Sequence, residues 1–390
     1  MKVLFVAPWI PSKIRPRSLE ILNMLVKDHD VRFVGLVSSE AEEREATELP
    51  VTNPVLIRRD RWGSMARCAR ALPTRTALQQ AYAQVPGLSA AVREQIRDWR
   101  PDVVHLNVFR TVHLVEECAP TPVIIDLDEF RSEYYEQVAR TAKFPWHLVG
   151  RIEGPRMKAR EDRLVEMGVP IMLSAPDEPG AERPGTYVVR SAYDFPLTRH
   201  AEPTEPIVLF VGRLTYEANV HGLMWFIEQC WPGIRTRVPN AKLRIVGTEP
   251  PREVLEAATN GVEVFANVPD VDPYYLEASA AIVPIHRGTG VQMKLIQALA
   301  AGVPTVATSA VTRRAGVRHG HDVLVSDDPD GWIDAVTTLL TNPEAAQRLA
   351  AAGREWAVGS HSTEAVRRQL ADAYAAVGPP KDDLFPDSSE

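Results

Sequence analysis

The chain has 390 residues, which is enough for two domains of ordinary size. Hydrophobic residues make up 45% of it and charged residues 24%, a composition typical of globular proteins. The formal net charge of -7 excludes a general nucleic-acid binder, because a phosphate backbone attracts proteins with an excess of Lys and Arg.

The cysteines and the N-terminal segment indicate a cytoplasmic protein. The three cysteines have no metal-ligand spacing, and their odd number suits a reducing compartment. The apolar run after Met1 is too short for a signal peptide, since Pro8 and Pro11 interrupt it. No apolar stretch approaches the length of a membrane span. We therefore expect a cytoplasmic location.

The first half of the chain alternates between predicted strands and helices. Lys2 to Ala7 is a β-branched and aromatic run that ends at a proline, and this pattern predicts a buried strand. Apolar residues at helical spacing follow, and then residues 31–37 predict a second strand. Residues 102–108 and 122–127 predict two more. Strand–helix–strand alternation is the unit of a parallel sheet, so we expect an α/β domain here.

A second α/β series begins near residue 206. The predicted helix covers residues 220–231, and the predicted strands cover residues 207–212, 242–247, 262–265, 280–285, 304–308 and 323–325. A proline-rich stretch at 194–206 separates the two series. We therefore expect one domain at 1–195 and another at 196–360, with a disordered acidic tail at 379–390. Two such domains usually bind ligands between them, at the carboxyl ends of their strands.

The segment from His286 to Pro304 joins a glycine-rich turn to an amphipathic helix. The free backbone N–H groups of a helix start, with the positive end of the helix dipole behind them, suit an anion. Lys294 lies near the first turn, where the dipole alone would favour an acid. A phosphate opposite Lys294 would explain this cation, and a solvent-exposed lysine on an ordinary helix is the alternative.

Arg213 follows the predicted strand at 207–212, so it lies where a strand end faces a ligand site. Its guanidinium group suits paired phosphate oxygens. Arg213 and Lys294 would then hold one diphosphate from two strand ends. The alternative for Arg213 is an ion pair with Glu217 or another acid.

The second half of the chain resembles the retaining GT-B glycosyltransferases, the group 1 or family 4-like sugar transferases that use nucleotide-sugar donors. The resemblance rests on residues 210–214 with Asn219, and on residues 222–226, 240–247, 268–271 and 288–304. These sequence segments occur in the family's order over about a hundred residues, which is more specific than any single motif. Residues 7–17 resemble the family more loosely. The resemblance implies an α/β fold of two Rossmann-like domains that face each other across a cleft.

The resemblance also implies residue roles. Arg213 and Lys294 would be the catalytic residues, because they would stabilise the leaving diphosphate. The residues implied to bind the donor are Gly212, Asn219, Gly247, Val268, Gly288, Thr289, Gly290 and Gln297. The helix at 361–378 would pack back on the N-terminal domain. Neither a metal nor another cofactor is implied, and no dedicated base is required, since in retaining members the diphosphate takes the acceptor's proton.

The chain departs from the family at two positions. The family commonly has two acids separated by seven residues, and here these positions hold Thr289 and Gln297. Gln297 can still hydrogen-bond a ribose hydroxyl, but without the charge-assisted strength of a carboxylate. Losing that contribution costs on the order of 1–2 kcal/mol, which predicts a weakened or altered donor site.

The first domain is implied to bind the acceptor. The candidate residues on this side are Lys13, Arg15, Arg17, His105, Asp126 and Asp128. His105 has the alternative of a core histidine. The Asp126-Leu127-Asp128 triplet has the alternative of a metal site, as in an unrelated transferase class, although nothing else in the sequence matches that class.

The resemblance implies a glycosyltransferase that moves a sugar from a nucleoside-diphosphate sugar to an acceptor hydroxyl with retention of configuration. The acceptor is left open among a glycan, a lipid-linked saccharide and a small aglycone. Basic residues near Arg15 and Arg156 leave open an association with the inner face of a membrane. Two alternatives remain: a degenerate GT-B protein that only binds a nucleotide or a partner, and a nucleotide-sugar epimerase.

Overall fold

A computed structural model describes residues 1–12, 14–142, 144–177, 181–193, 203–286 and 292–377. Its contacts divide the described chain into two units. The first unit comprises the described residues within 1–174 and 178–192 and those from 367 onwards. The second unit comprises the described residues within 175–177 and 193–366. The predicted tail at 379–390 lies outside the described residues.

The first unit is built on a parallel sheet. Its strands are β1 Lys2–Ala7, β2 Asp30–Val37, β3 Val55–Arg58, β4 Val103–Asn107, β5 Val123–Asp128, β6 Ile171–Leu173 and β7 Thr186–Val188. In the described chain they are ordered β3-β2-β1-β4-β5-β6-β7, and each neighbouring pair is parallel. The four strands predicted in this half are β1, β2, β4 and β5, and they are confirmed.

Helices connect these strands. They are α1 Pro16–Asp28, α2 Glu40–Ala46, α3 Arg61–Ala71, α4 Leu78–Ala83, α5 Pro86–Trp99, α6 Arg131–Thr141 and α7 Trp146–Glu166. Two 3-10 helices, Phe109–Leu114 and Glu116–Cys118, join β4 to β5. α1 and α5 each begin with a proline, whose fixed φ suits the first helical position. Every position of β1 after Lys2 is buried, because β1 is a central strand of the sheet.

The second unit repeats this plan. Its strands are β8 Ile207–Val211, β9 Lys242–Gly247, β10 Val262–Ala266, β11 Ala280–Val283, β12 Thr305–Ala307 and β13 Leu324–Val325. They form a sheet of order β10-β9-β8-β11-β12-β13, again with parallel neighbours. The strand order reverses at β8 and β11, which is where open α/β sheets bind ligands.

The helices of the second unit follow its strands in the same way. They are α8 Glu217–Gln229, α9 Trp231–Arg237, α10 Arg252–Glu256, α11 Asp272–Glu277, α12 Met293–Ala300, α13 Ser309–Ala315, α14 Pro329–Thr341 and α15 Pro343–His361. A further helix, α16 Thr363–Ala375, belongs to the first unit from Arg367 onwards. No helix in the described ranges combines the length and the apolar character needed to cross a bilayer.

The end of α16 packs within the first unit. The hydroxyl group of Tyr374 lies 2.8 Å from Nδ1 of His105 on β4. Arg367 forms an ion pair with Asp28 at the end of α1, with 2.7 Å between Nη2 and Oδ1. These two contacts tie the last described helix to the sheet and to α1.

Candidate functional site

The switch point of the second unit brings together the residues predicted to hold a diphosphate. Arg213 follows β8, and Lys294 is the second residue of α12, the helix that follows β11. β8 and β11 are neighbours in the sheet, so both residues lie at its carboxyl edge. This is the placement that the sequence predicts, because the carboxyl ends of parallel strands meet at one edge.

Lys294 is a half-buried cation without a carboxylate partner among the described residues. Its Nζ donates to Oδ1 of Asn219 at 2.6 Å and to Oε1 of Gln292 at 3.3 Å. It also lies 5.9 Å from the centroid of the Phe210 ring. Burial lowers the pKa of Lys294 to about 8. Two neutral amides and an aromatic ring orient the ammonium group but leave its charge unbalanced, an arrangement suited to an anion.

Arg213 is exposed, and its side chain forms no hydrogen bond or ion pair with any described residue. The ion pair with Glu217, the alternative raised from the sequence, is therefore not formed. The backbone carbonyl of Arg213 accepts a hydrogen bond of 2.7 Å from Nδ2 of Asn219. Its guanidinium group remains available to a ligand.

Asn219 organises both cations. Its side chain is only 3% exposed, and its amide accepts from Lys294 while it donates to the Arg213 carbonyl. An asparagine can fill both roles because one end of its amide donates and the other accepts. The sequence predicted Asn219 as a donor ligand, and the structure gives it these two positioning contacts.

Glycines let the backbone segments approach each other at this edge. A Cβ at Gly212 would lie 3.1 Å from Lys294 Cε and 3.1 Å from Asn219 Nδ2. A Cβ at Gly247 would lie 2.2 Å from the carbonyl oxygen of Gly212, closer than any side chain permits. The end of β9 therefore requires glycine at position 247, whereas a Cβ at position 212 would press on the side chains of Lys294 and Asn219. Their contacts with a donor remain predictions.

Gln297 lies one turn beyond Lys294 on α12, and two tyrosines bind its amide. Its Oε1 accepts from the hydroxyl of Tyr275 at 3.4 Å, and its Nε2 donates to the hydroxyl of Tyr193 at 2.9 Å. Val268 is half-buried in the loop after β10 and packs against the apolar cluster that contains Tyr275. The sequence analysis missed Tyr193 and Tyr275, because neither lies in a motif.

Several predicted residues lie outside the described residues. They are Lys13, Gly288, Thr289 and Gly290. The anion-binding role of the glycine-rich loop and the acceptor-side role of Lys13 stay predictions.

In the first unit, the structure joins Arg17 to Asp126. Nη2 of Arg17 lies 2.7 Å from Oδ1 of Asp126, and its Nε lies 3.1 Å from both carboxylate oxygens. Arg17 Nε also lies 3.4 Å from Asp128. Asp126 is completely buried, and its charge is balanced by Arg17. No group of acids, histidines or cysteines suited to a metal is found among the described residues.

His105 is in the core of the first unit. It is fully buried and stacks on Phe5, with 4.5 Å between the ring centroids. Burial first, and then the charge of Arg17, lower the pKa of His105 to about 3, so the imidazole is neutral at physiological pH. This burial favours the alternative raised from the sequence, a core histidine, and direct contact with an acceptor stays a prediction.

A cavity of about 370 Å³ lies at the carboxyl end of β4 and β5 in the first unit. Arg15, Arg17, Asp126 and Asp128 line it, so four of the six predicted acceptor-side residues meet there. Its lining also includes Asn107, which lies at the end of β4, and Gln79, Arg110 and Arg131, which the sequence analysis did not single out. These last three residues come from separate elements, and none of them carries a motif.

The second unit contains a segment that matches a known family. The model of the glycosyl transferases group 1 family matches residues 205–342, the stretch that carries Arg213, Asn219 and Lys294. Residues 205–342 belong to the glycosyl transferases group 1 family. The resemblance predicted from the sequence is thereby confirmed, and Arg213 and Lys294 lie within this group 1 domain.

The chain is also similar to a mycobacterial protein. It is 31% identical over 157 residues to the GDP-mannose-dependent alpha-(1-6)-phosphatidylinositol monomannoside mannosyltransferase of Mycobacterium tuberculosis. The match covers 36% of this chain and 41% of that relative, so this chain spans less than half of the relative's length.

Solved structures confirm the fold across nearly the whole chain. The Anabaena protein HepE, in complex with UDP, has a TM-score of 0.65 at 13% identity and covers 97% of this chain and 100% of HepE. Sucrose-phosphate synthase of Thermosynechococcus elongatus has a TM-score of 0.62 at 16% identity. That match covers 96% of this chain and 98% of the synthase chain. The predicted α/β fold with two Rossmann-like domains, the second of them the group 1 domain, is therefore confirmed.

Proposed function

We propose that this chain is a glycosyltransferase that moves a sugar from a nucleoside-diphosphate sugar to an acceptor hydroxyl. One observation carries the proposal. In the group 1 domain, Lys294 and Arg213 lie at the same sheet edge, and neither forms an ion pair with an acid among the described residues. Two such cations at the switch point of an α/β sheet suit the diphosphate of such a donor.

These cations supply the chemistry that the reaction needs. As the bond between the sugar's anomeric carbon and the diphosphate oxygen breaks, negative charge develops on the diphosphate. Lys294 and Arg213 stabilise that charge, and Asn219 holds Lys294 in place before the reaction begins. The acceptor oxygen then bonds to the anomeric carbon, and its proton passes to a diphosphate oxygen on the same face. Retention of configuration is part of this proposal.

Gln297 fits the ribose role that the sequence analysis assigns to it. Its contacts with Tyr193 and Tyr275 use one N–H and one oxygen lone pair of the amide. An amide has two of each, so one donor and one acceptor remain for a ribose hydroxyl. We propose that the two tyrosines fix the rotamer of Gln297 and that the remaining groups bind the donor ribose.

The first unit is assigned the acceptor. Its cavity offers the Arg17–Asp126 pair, and Asn107 Oδ1 accepts a 2.8 Å hydrogen bond from Ser18, so hydroxyl-binding groups are fixed in position. The mycobacterial relative is named for a phosphatidylinositol monomannoside, and HepE was solved with UDP. Both names support a nucleotide-sugar donor and a saccharide acceptor for this chain. We propose the limits 1–195 for the acceptor domain and 196–360 for the donor domain.

The test separates the transferase from its two alternatives. The full chain is incubated with a panel of nucleotide sugars, with and without acceptor extracts, and free nucleoside diphosphate is measured. A transferase releases diphosphate in step with acceptor. No release with any donor would indicate a binding module, and a changed sugar without acceptor would indicate an epimerase. Lys242→Ala is the matched control for Lys294→Ala, because Lys242 is a surface lysine paired with Glu205 at 2.7 Å.

Association with a membrane surface is also part of the proposal, and two segments of the first unit support it. Residues 61–84 contain four Arg and no acid, and residues 140–152 contain three Lys or Arg and no acid, in a chain whose net charge is -7. The exposed large apolar side chains on these segments are Trp62, Met65, Leu72, Phe144, Trp146, Leu148 and Ile152. Aromatic side chains beside arginines are typical of surfaces that bind anionic bilayers.

The two segments are joined. Arg156 of α7 donates to the carbonyl of Leu72 at 2.5 Å, and Glu153 accepts from the backbone N–H of Leu78 at 2.7 Å. These contacts pack α3 and α4 against α7. Arg156 itself is occupied by this packing. The exposed arginines of the surface are Arg61, Arg70, Arg75, Arg140 and Arg151.

Vesicle sedimentation tests the surface. We expect the chain to sediment with phosphatidylcholine vesicles that contain phosphatidylglycerol, and not with phosphatidylcholine alone, and salt should weaken the binding. The double variant Trp62→Ser, Phe144→Ser removes side chains that are 79% and 76% exposed and should lose binding. Leu255→Ser, at an exposed position of the second unit, is the control. Unchanged sedimentation of the double variant would contradict this docking surface.

A further inference from the structure

The cavity of the first unit is lined by an arginine that forms no ion pair with any described residue. The arginines that line it are Arg15, Arg17, Arg110 and Arg131, and the acids that line it are Asp126, Asp128 and Glu129. Arg17 is paired with both Asp126 and Asp128, and Arg131 lies 2.5 Å from Glu129. Arg15 is paired with Glu42, an acid outside the lining, at 3.3 Å. Arg110 is the arginine left without an acid.

Arg110 is held in place by an aromatic ring and by the backbone. Its guanidinium carbon lies 5.4 Å from the centroid of the Trp9 ring, which also contacts Arg15 at 5.0 Å. Its side chain forms no hydrogen bond and no ion pair with any residue in the described part of the chain. Arg110 lies two residues after Val108, whose φ of 62° and ψ of 163° are backbone angles found almost only in glycine. This strained turn directs the chain from β4 into the 3-10 helix that carries Arg110.

The electrostatic environment of Arg110 is unfavourable without a ligand. Burial, and then repulsion from Arg59 and Arg131, lower the pKa of the Arg110 guanidinium. A half-buried guanidinium group without a carboxylate lacks both full hydration and a partner, so an anion in the cavity would relieve it.

We propose that Arg110 binds a phosphoryl group carried by the acceptor, a phosphate ester of a sugar or polyol that enters this cavity. The identification of this ligand as the acceptor rests on the proposed function, whereas the phosphoryl site itself does not. The planar fork of an arginine suits two phosphate oxygens, and Arg59 and Arg131 add positive potential. A cavity of about 370 Å³ has the size of a site for a small ligand of this kind.

The test uses methyl phosphate as the probe, observed by phosphorus NMR line broadening in the presence of the full chain. Every protein in the series carries Lys294→Ala and Arg213→Ala, which remove both cations of the diphosphate site in the second unit. We expect Arg110→Gln to weaken methyl phosphate binding by about tenfold or more, because a charge-assisted contact is lost. Arg97→Gln is the matched control, since Arg97 is a surface arginine of the same unit paired with Asp98.

Three results would overturn the site. They are equal affinity of Arg110→Gln and its parent, no binding of methyl phosphate to the parent, and acetate binding as tightly as methyl phosphate. Arg110→Lys keeps the charge but loses the fork, and we expect an intermediate affinity from it. This second variant keeps the test valid if Arg110→Gln does not fold.

Vesicle sedimentation of Arg110→Gln distinguishes two sources of the phosphoryl group, a lipid headgroup and a soluble phosphate ester. If the ligand is a lipid headgroup, Arg110→Gln also weakens sedimentation with phosphatidylglycerol vesicles. If the ligand is a soluble phosphate ester, sedimentation is unchanged while methyl phosphate binding is lost. Failure of the proposed function would appear elsewhere, as the absence of nucleoside diphosphate release by the wild-type chain, and would leave the methyl phosphate result intact.

Discussion

The pH dependence of donor binding follows from the burial of Lys294. Its pKa is about 8 instead of the ordinary 10.5, because burial removes hydration from the ammonium group. This difference corresponds to about 3 kcal/mol that favours the neutral amine in the free protein. A bound diphosphate opposes it, since its negative charge favours the ammonium form.

The affinity for the diphosphate falls as the pH rises. The diphosphate binds the protonated form, so affinity is full below pH 8 and falls as the pH rises through the pKa of the free protein, about 8. If the bound diphosphate restores the ordinary pKa of 10.5, the dissociation constant is about tenfold higher at pH 9 than at pH 7. The terminal phosphate, with a pKa of about 6, is already about nine-tenths ionised at pH 7, so its titration contributes little over this interval.

Isothermal titration calorimetry with UDP and GDP measures this effect directly. Repeating the titration in buffers of different ionisation enthalpy reports the proton taken up on binding near pH 9. Lys294→Arg is the matched variant, because arginine keeps its charge throughout this interval and should remove both the pH dependence and the proton uptake. A dissociation constant that is equal at pH 7 and pH 9 would refute the role of Lys294. A loss of affinity between pH 7 and pH 9 that is as large in Lys294→Arg as in the wild-type chain would refute it too.

Three further substitutions test separate parts of the structure. Gln297→Glu should tighten UDP or GDP binding by about tenfold in calorimetry, since a carboxylate binds a ribose hydroxyl more strongly, and unchanged affinity would place Gln297 away from the ribose. Gly222→Ala should lower the free energy of unfolding by about 1–3 kcal/mol in urea, because its Cβ would lie 1.9 Å from the Pro284 carbonyl oxygen. Gly359→Ala, with nothing within 4 Å, should leave stability equal or higher. Arg17→Met should cost about 3–5 kcal/mol by stranding the buried Asp126, and a loss below about 1 kcal/mol would mean that Asp126 has another partner.

Much of the donor side was predictable from the sequence because its residues lie next to strong local signals. β8 and β11 are short apolar runs, so their ends, and with them Arg213 and Lys294, could be placed at one edge of a parallel sheet. Asn219 was predicted from the family motif around it. What the sequence did not disclose is that Asn219 holds Lys294 and the Arg213 backbone together.

The remaining site residues depend on contacts between distant parts of the chain. Tyr193 reaches Gln297 across 104 residues, and no periodicity or motif signals such a contact. Arg110 is one arginine among many in the sequence. Only the ion pairs of the neighbouring arginines show that Arg110 is left without an acid among the described residues. His105 shows how burial changes the weight of two alternatives, because a histidine near a strand end resembles a ligand until its stacking on Phe5 is known. Its contact with an acceptor stays a prediction.

The measurement that tests the central claim most directly is nucleoside diphosphate release by Lys294→Ala and Arg213→Ala in the presence of donor and acceptor extract. If these cations hold the leaving diphosphate, each variant should lose turnover on the order of a hundredfold or more, while Lys242→Ala keeps the wild-type rate. Near-normal, acceptor-dependent release by both variants would contradict the assignment of the diphosphate site to Lys294 and Arg213.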